Sequence, residues 1–161
     1  MFLPRSDVFK DIRQETIAEL SDAAVEEEFQ AGTVVFSQND PAQFLYFLVE
    51  GEVELIIGNG ANSHYTVNGI GEMFGWSSVV NRDCYSARAL CLKPSRAIKI
   101  DKAGLERVFD AHPRSGQVFY RRLAEALGQR WLDLHHSLIS LLQQQGDVSY
   151  GSGQVINAGD E

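Results

Sequence analysis

Between Val25 and Asp101, turn-forming residues recur at intervals too short for a helix of ordinary length, and this limits the fold more than any other feature. Ala31-Gly32, Asn39-Asp40-Pro41, Gly51, Gly58-Asn59-Gly60 and Lys93-Pro94 separate segments rich in Val, Ile, Phe, Tyr and Thr. Strands are therefore expected at Glu26–Gln30, Thr33–Ser37, Phe44–Glu50, Glu52–Ile57, His64–Val67, Glu72–Phe74, Ser86–Leu92 and Ser95–Ile100. Evenly spaced short strands close into a barrel, roll or sandwich. In Phe44–Val49 and Val53–Ile57 the alternation is imperfect, as expected where a sheet curls and both faces are partly covered.

Helical patterns flank this region. From Ser6 to Ala24, Val8, Phe9, Ile12, Ile17 and Leu20 are apolar with charges between them; Ser6 and Asp7 are candidate caps, and Ser21-Asp22 is the expected break. Asp101 is placed to cap a helix over Lys102–Ala111, and Pro113 to open a longer one ending near Gln145, before Gly146. In the long helix Leu127, Trp131, Leu134, Leu138 and Leu141 step 4, 3, 4, 3, a heptad seam that extends back to Ala124 and Tyr120. A helix of roughly 33 residues is about 50 Å long and outruns a small barrel. Its distal half is expected to meet a two-fold copy of itself. Residues 146–161 are small, polar and aperiodic, a pattern expected of a disordered tail. The expected organisation is one domain over residues 1–145, with no second domain after the long helix and no helix–turn–helix pattern after Gln145.

Composition excludes several function classes. Residues 1–112 carry 17 acidic and 10 basic side chains, 113–145 carry 2 and 4, and the last sixteen add −3, for a net charge of −8. An acidic body repels the phosphate backbone that supplies most non-specific nucleic-acid affinity, so direct DNA binding is not expected. No apolar run approaches a bilayer-spanning length, and Met1–Asp7 lacks the pattern of a signal peptide, so a cytoplasmic protein is expected. Cys84 and Cys91 are too few for a disulfide framework and suit a reducing compartment. His64, His112, His135 and His136 do not converge; adjacent helical residues point about 100° apart and cannot chelate one ion together. Neither a metal site nor a catalytic constellation is expected.

The stretch Gly69–Leu90 reads as a glycine-rich turn, a very short helical segment and a strand, the layout of a phosphate-cradling loop set into β-structure. With F-Q-A-G-T-V-V-F-S-Q-N-D-P at 29–41, F-L-Y-F-L-V-E-G-E-V-E-L at 44–55, G-E-M-F-G-W at 71–76, Y-S-A-R-A-L at 85–90 and A-I-K-I-D at 97–101, the chain resembles the cyclic-nucleotide-binding domain family over about residues 6–145. The resemblance implies an α+β fold: an eight-stranded antiparallel β-roll of the double-stranded β-helix or jelly-roll type, with an N-terminal helix and a long, dimerising C-terminal helix. It also implies a regulatory, non-enzymatic module in which a cyclic nucleotide lies against a phosphate-binding cassette.

In such a cassette a loop Glu accepts the ribose hydroxyl and an Arg at the far end neutralises the phosphate. Here Gly75 matches the loop glycine and Ser77–Val80 the short helix, but the Glu position falls on Trp76. Anchored on Ala87-Arg88-Ala89, the Arg position falls on Asp83, or one residue away on Arg82. Losing the acceptor and inverting the charge removes several kcal/mol, so tight cyclic AMP binding in the usual pose is not expected. Trp76 has two readings: a flat face that stacks on a planar ring, or a plug that fills the pocket. Arg82 reads as an anion ligand or as a solvated charge offset by Asp83; Arg88 as a strand residue facing outward or reaching an anion; Ser77 and Ser78 as a helix cap and its neighbour. The candidate ligand-binding set is Gly75, Trp76, Ser77, Ser78, Arg82, Ser86 and Arg88. The candidate ligand is a nucleotide or other small anion, with no obligate cofactor. The expected partners are a second copy through Leu127–Leu141 and a separate output protein; a degenerate assembly module with a filled pocket is the competing reading.

Overall fold

The computed structural model describes residues 3, 6–58 and 64–143. The expected tail at 146–161 and the end of the long helix at 144–145 lie outside them. The chain divides into two compact units, Met1–Leu123 and Ala124–Glu161.

The first unit opens with a 3-10 turn at Asp7–Phe9, followed by α1 (Gln14–Asp22). The N-terminal segment is interrupted at residues 10–13, and α1 then ends at Asp22, where Ser21-Asp22 is the expected break. Asp11 there adopts φ 68°, a left-handed conformation no helix carries through, and Ser6 makes no side-chain cap bond. Eight strands follow: β1 (Ala24–Phe29), β2 (Val34–Phe36), β3 (Phe44–Glu50), β4 (Val53–Ile56), β5 (His64–Val67), β6 (Met73–Phe74), β7 (Arg88–Cys91) and β8 (Ser95–Asp101). They form two antiparallel sheets, β1-β8-β3-β6 and β2-β7-β4-β5, the expected roll. α2 (Lys102–Ala111) and α3 (Pro113–Gln143) complete the chain. The Asp101 side chain accepts from Gly104 N at 3.1 Å, which starts α2 where the sequence places it.

The first sheet is covered on both faces, so β3 is buried over five successive residues instead of alternating. On its outer side Phe47 packs on Phe9 at 4.9 Å between ring centroids, and Phe9 and Phe109 both reach Phe119 of α3. Polar ties hold the same layer: Thr16 and Ser115 hydroxyls share a buried hydrogen bond at 2.9 Å, His112 meets Glu19 at 2.9 Å, and Arg122 pairs with Asp11. On its inner side Tyr46 and Leu48 join Val53, Leu55 and Val67 from the second sheet. Each such large apolar side chain contributes roughly 1.5–3 kcal/mol relative to exposure.

In the second unit, Leu127 is half-buried, whereas Trp131, Leu134, Leu138 and Leu141 are exposed, Leu134 at 69%. Trp131 stacks on His135 one turn later, with centroids 4.9 Å apart and planes at 16°. Among the described residues no helix is long and apolar enough to cross a membrane.

Candidate functional site

The segment from β6 to β7 is set by one glycine. Gly75 lies at φ 72°, and a Cβ there would stand 3.0 Å from Tyr46 Cδ2 and 3.1 Å from the Phe44 carbonyl. This close, left-handed approach lets the chain leave β6 and turn at once into a 3-10 segment, Trp76–Val79. Gly75 therefore holds the cap position expected of Ser77. The Ser78 hydroxyl donates back to the Gly75 carbonyl at 3.0 Å, and the Ser77 hydroxyl lies 3.4 Å from both Ser86 Oγ and Ser86 N. The two serines thus join the start of the loop to its end.

Trp76 is half-buried, whereas Arg82, Asp83 and Arg88 are exposed. Strand register fixes the direction of Arg88. It pairs with Ile56, while Ala89 pairs with Leu55 and Cys91 with Val53, and those two rows face the core. Arg88 therefore lies on the outer side of the second sheet, away from the roll interior. Neither arginine of the candidate set stands inside the roll.

The inward residue of the loop is Tyr85, which stands outside the candidate ligand-binding set. It is buried and stacks on Phe36 with centroids 3.8 Å apart and planes at 15°. Its hydroxyl donates to the Phe44 carbonyl at 2.8 Å and accepts from Phe44 N at 3.0 Å. Phe36 continues the aromatic group to Tyr46 and Phe74, which stack on each other at 5.0 Å. Burial pushes the Tyr85 phenol up, and it pushes the Tyr46 phenol up further with the help of Tyr85 and the Glu27 carboxylate. Both are uncharged at neutral pH. The deep interior is thus filled by Tyr85 and its neighbours, with Trp76 nearer the surface. The parity of Tyr85 with Ala87 and Ala89 along the strand was the available signal.

Glu72, the carboxylate closest to the loop in sequence, is committed to the preceding turn. It accepts from Tyr65 OH at 2.7 Å, from Gly69 N at 3.0 Å and from Asn68 N at 3.2 Å. Among the described residues no group of three or more His, Cys, Asp and Glu side chains is placed to hold a metal ion.

Comparison with known proteins agrees with this geometry. Residues 26–112 match the cyclic nucleotide-binding domain. A structure described as a cyclic nucleotide-binding protein from Geobacter metallireducens is 29% identical, with TM-score 0.69, covering 78% of this chain and 92% of that one. A cyclic nucleotide-binding domain from Methylobacillus flagellatus has the same fold at TM-score 0.74 and 17% identity, covering 96% of this chain and 83% of that one. The CRP-like cAMP-activated global transcriptional regulator of Mycobacterium tuberculosis is 25% identical over 127 residues, 78% of this chain and 57% of that protein. The chain spans about a third to a little over half the length of the first curated relatives it matches.

Proposed function

The chain belongs to the cyclic nucleotide-binding domain family, and from that premise we propose that it is a non-catalytic regulatory module working as a homodimer. In this reading the 75–88 loop takes a small ligand, α3 carries the response, and the seam Leu127, Trp131, Leu134, Leu138 and Leu141 pairs two copies. One observation carries it: in a chain that buries most of its large apolar side chains, four seam residues at heptad spacing stand exposed together. Occupancy reaches α3 through Phe119 and Ser115, which pack on the N-terminal segment and on α2. The acidic charge of the body favours a protein partner for output over nucleic acid, and a cytoplasmic setting suits two free cysteines. Sedimentation equilibrium tests the assembly. The unaltered chain is expected at dimer mass and Leu134→Glu at monomer mass with an unchanged far-ultraviolet dichroism spectrum; a variant that stays dimeric rejects the seam.

A second reading, a ligand-free assembly module, is favoured by the filled deep interior around Tyr85. Isothermal titration with cyclic AMP, cyclic GMP, adenosine and indole separates the two. Heat from any one supports the ligand-reading module, and silence from all four with the dimer intact supports the assembly module.

A further inference from the structure

The pair Asn68-Gly69, just past the end of β5, carries chemistry of its own, independent of any ligand or second copy. Asparagine is thermolabile, and a following glycine, with no Cβ, leaves the next backbone nitrogen open to the asparagine side chain. The chain holds two such pairs, Asn59-Gly60 and Asn68-Gly69. In the reaction Gly69 N bonds to Asn68 Cγ and the Cγ–Nδ2 bond breaks. The amide nitrogen leaves as ammonia, carrying off the proton lost from Gly69 N. Water then opens the cyclic imide at either carbonyl, which gives aspartate or isoaspartate at position 68. Water is the only co-reactant.

Both residues are exposed to the water the reaction consumes, yet the attacking nitrogen is held. Gly69 N donates to Glu72 Oε2 at 3.0 Å, and Asn68 N donates to the same oxygen at 3.2 Å. A Cβ built at Gly69 would find Glu72 atoms as its three nearest neighbours, with Oε2 closest at 3.2 Å. The other carboxylate oxygen accepts from Tyr65 OH of β5 at 2.7 Å. Main-chain bonds fix Glu72 itself. Leu48 N of β3 donates to the Glu72 carbonyl at 2.9 Å, and Glu72 N donates to the Gly69 carbonyl at 3.0 Å. This clasp opposes ring closure in two ways. It aims the Gly69 N–H at a carboxylate, whose charge disfavours the anionic nitrogen that attacks. It also ties both backbone nitrogens of the pair to one oxygen, which limits the rotation that closure requires.

We propose that Asn68-Gly69 is a self-modification site held in reserve by Glu72: while the carboxylate holds the Gly69 N–H, Asn68 stays an amide, and its release lets the ring close. The product places a new negative charge at 68, beside Glu72, and its isoaspartyl form lengthens the main chain by one carbon between β5 and the turn. The test incubates the full chain in mildly alkaline buffer and follows conversion at Asn68 by peptide mass mapping, with isoaspartate measured separately. Conversion is expected to be at least about tenfold slower in the folded chain than in the chain unfolded in guanidinium, as suits a hydrogen bond to a charged group. Glu72→Ala is expected to bring the folded rate most of the way to the unfolded one. Glu72→Gln, which keeps an acceptor without the charge, is expected to fall between. In both variants the dichroism spectrum and the rate at Asn59 are expected to match those of the unaltered chain. Where Glu72→Ala disturbs that spectrum, Tyr65→Phe decides, since it removes the hydroxyl on the other carboxylate oxygen and is expected to speed conversion at Asn68 alone. No conversion even in the unfolded chain overturns the site. Equal rates folded and unfolded, or a Glu72→Ala rate as slow as the unaltered one, overturn the clasp. Equal acceleration at Asn59 and Asn68 also overturns it, because the variant would then have loosened the whole roll.

Discussion

At the scale of single residues the loop exchanges charge for ring stacking. Tyr85 supplies two hydrogen bonds to the Phe44 backbone and a face to Phe36, and Tyr46 lies in the same aromatic group. Burial raises both phenols above the ordinary value of 10.0 that they regain on unfolding. At a pH above that value the unfolded chain releases protons that the folded chain retains. Stability from these two groups is therefore complete below about pH 10 and is lost as pH rises through the folded-state values. Burial also raises the Cys91 thiol and the Tyr120 phenol, with the same sign. Urea midpoints measured between pH 8 and pH 11 are expected to begin falling above about pH 9, where Cys91 ionises on unfolding, and to fall steeply above about pH 10. The fall is expected to be shallower in Tyr46→Phe. A flat profile to pH 11, or an unchanged slope in the variant, contradicts the burial of these phenols.

At the scale of elements, the β3–β4 hairpin depends on one backbone position. Gly51 turns at φ 104°, and a Cβ there would sit 2.6 Å from Ser95 Cα, a backbone contact no rotamer relieves. Gly51→Ala is expected to cost about 2–4 kcal/mol in urea unfolding. Gly32→Ala, at φ 83° with nothing within 4 Å, is expected to cost only about 1 kcal/mol. Equal costs would remove the close approach as the cause. This hairpin also shows why the strands were legible: Gly32, Gly51, Gly58 and Asn39 stand at positive φ, a conformation that glycine, lacking a Cβ, and asparagine tolerate and most other residues resist. Asp101 was legible as a cap for a similarly local reason. The break at residues 10–13 was hidden because Asp11 carries the left-handed turn in a stretch whose apolar spacing still suits a helix. Tyr85 carries no charge to mark it as a phosphate contact; its direction follows from its alternation with Ala87 and Ala89, and its environment from Phe36, distant in sequence. The sequence allows Arg88 two directions, and only the pairing with Ile56 decides between them.

At the scale of the whole molecule, the buried core and the proposed seam draw on different residues. The buried apolar group of the roll and the helical layer lies within Met1–Leu123, whereas the exposed seam residues Trp131, Leu134, Leu138 and Leu141 lie within Ala124–Glu161. A seam that stabilises the chain only by pairing two copies makes apparent stability depend on concentration, because association shifts the unfolding equilibrium by mass action. Each tenfold rise in protein concentration is worth up to about 1.4 kcal/mol per dimer, a shift of a few degrees in Tm for a chain of this length. The unaltered chain is therefore expected to show a Tm that rises from the low-micromolar to the high-micromolar range. Leu134→Glu, which places a charge at the most exposed seam position, is expected to show a Tm independent of concentration and close to that of the unaltered chain at its most dilute. If that variant melted far below this limit, the seam would be part of the fold of each copy. If the unaltered chain showed no concentration dependence, the distal half of α3 would serve some partner other than a second copy.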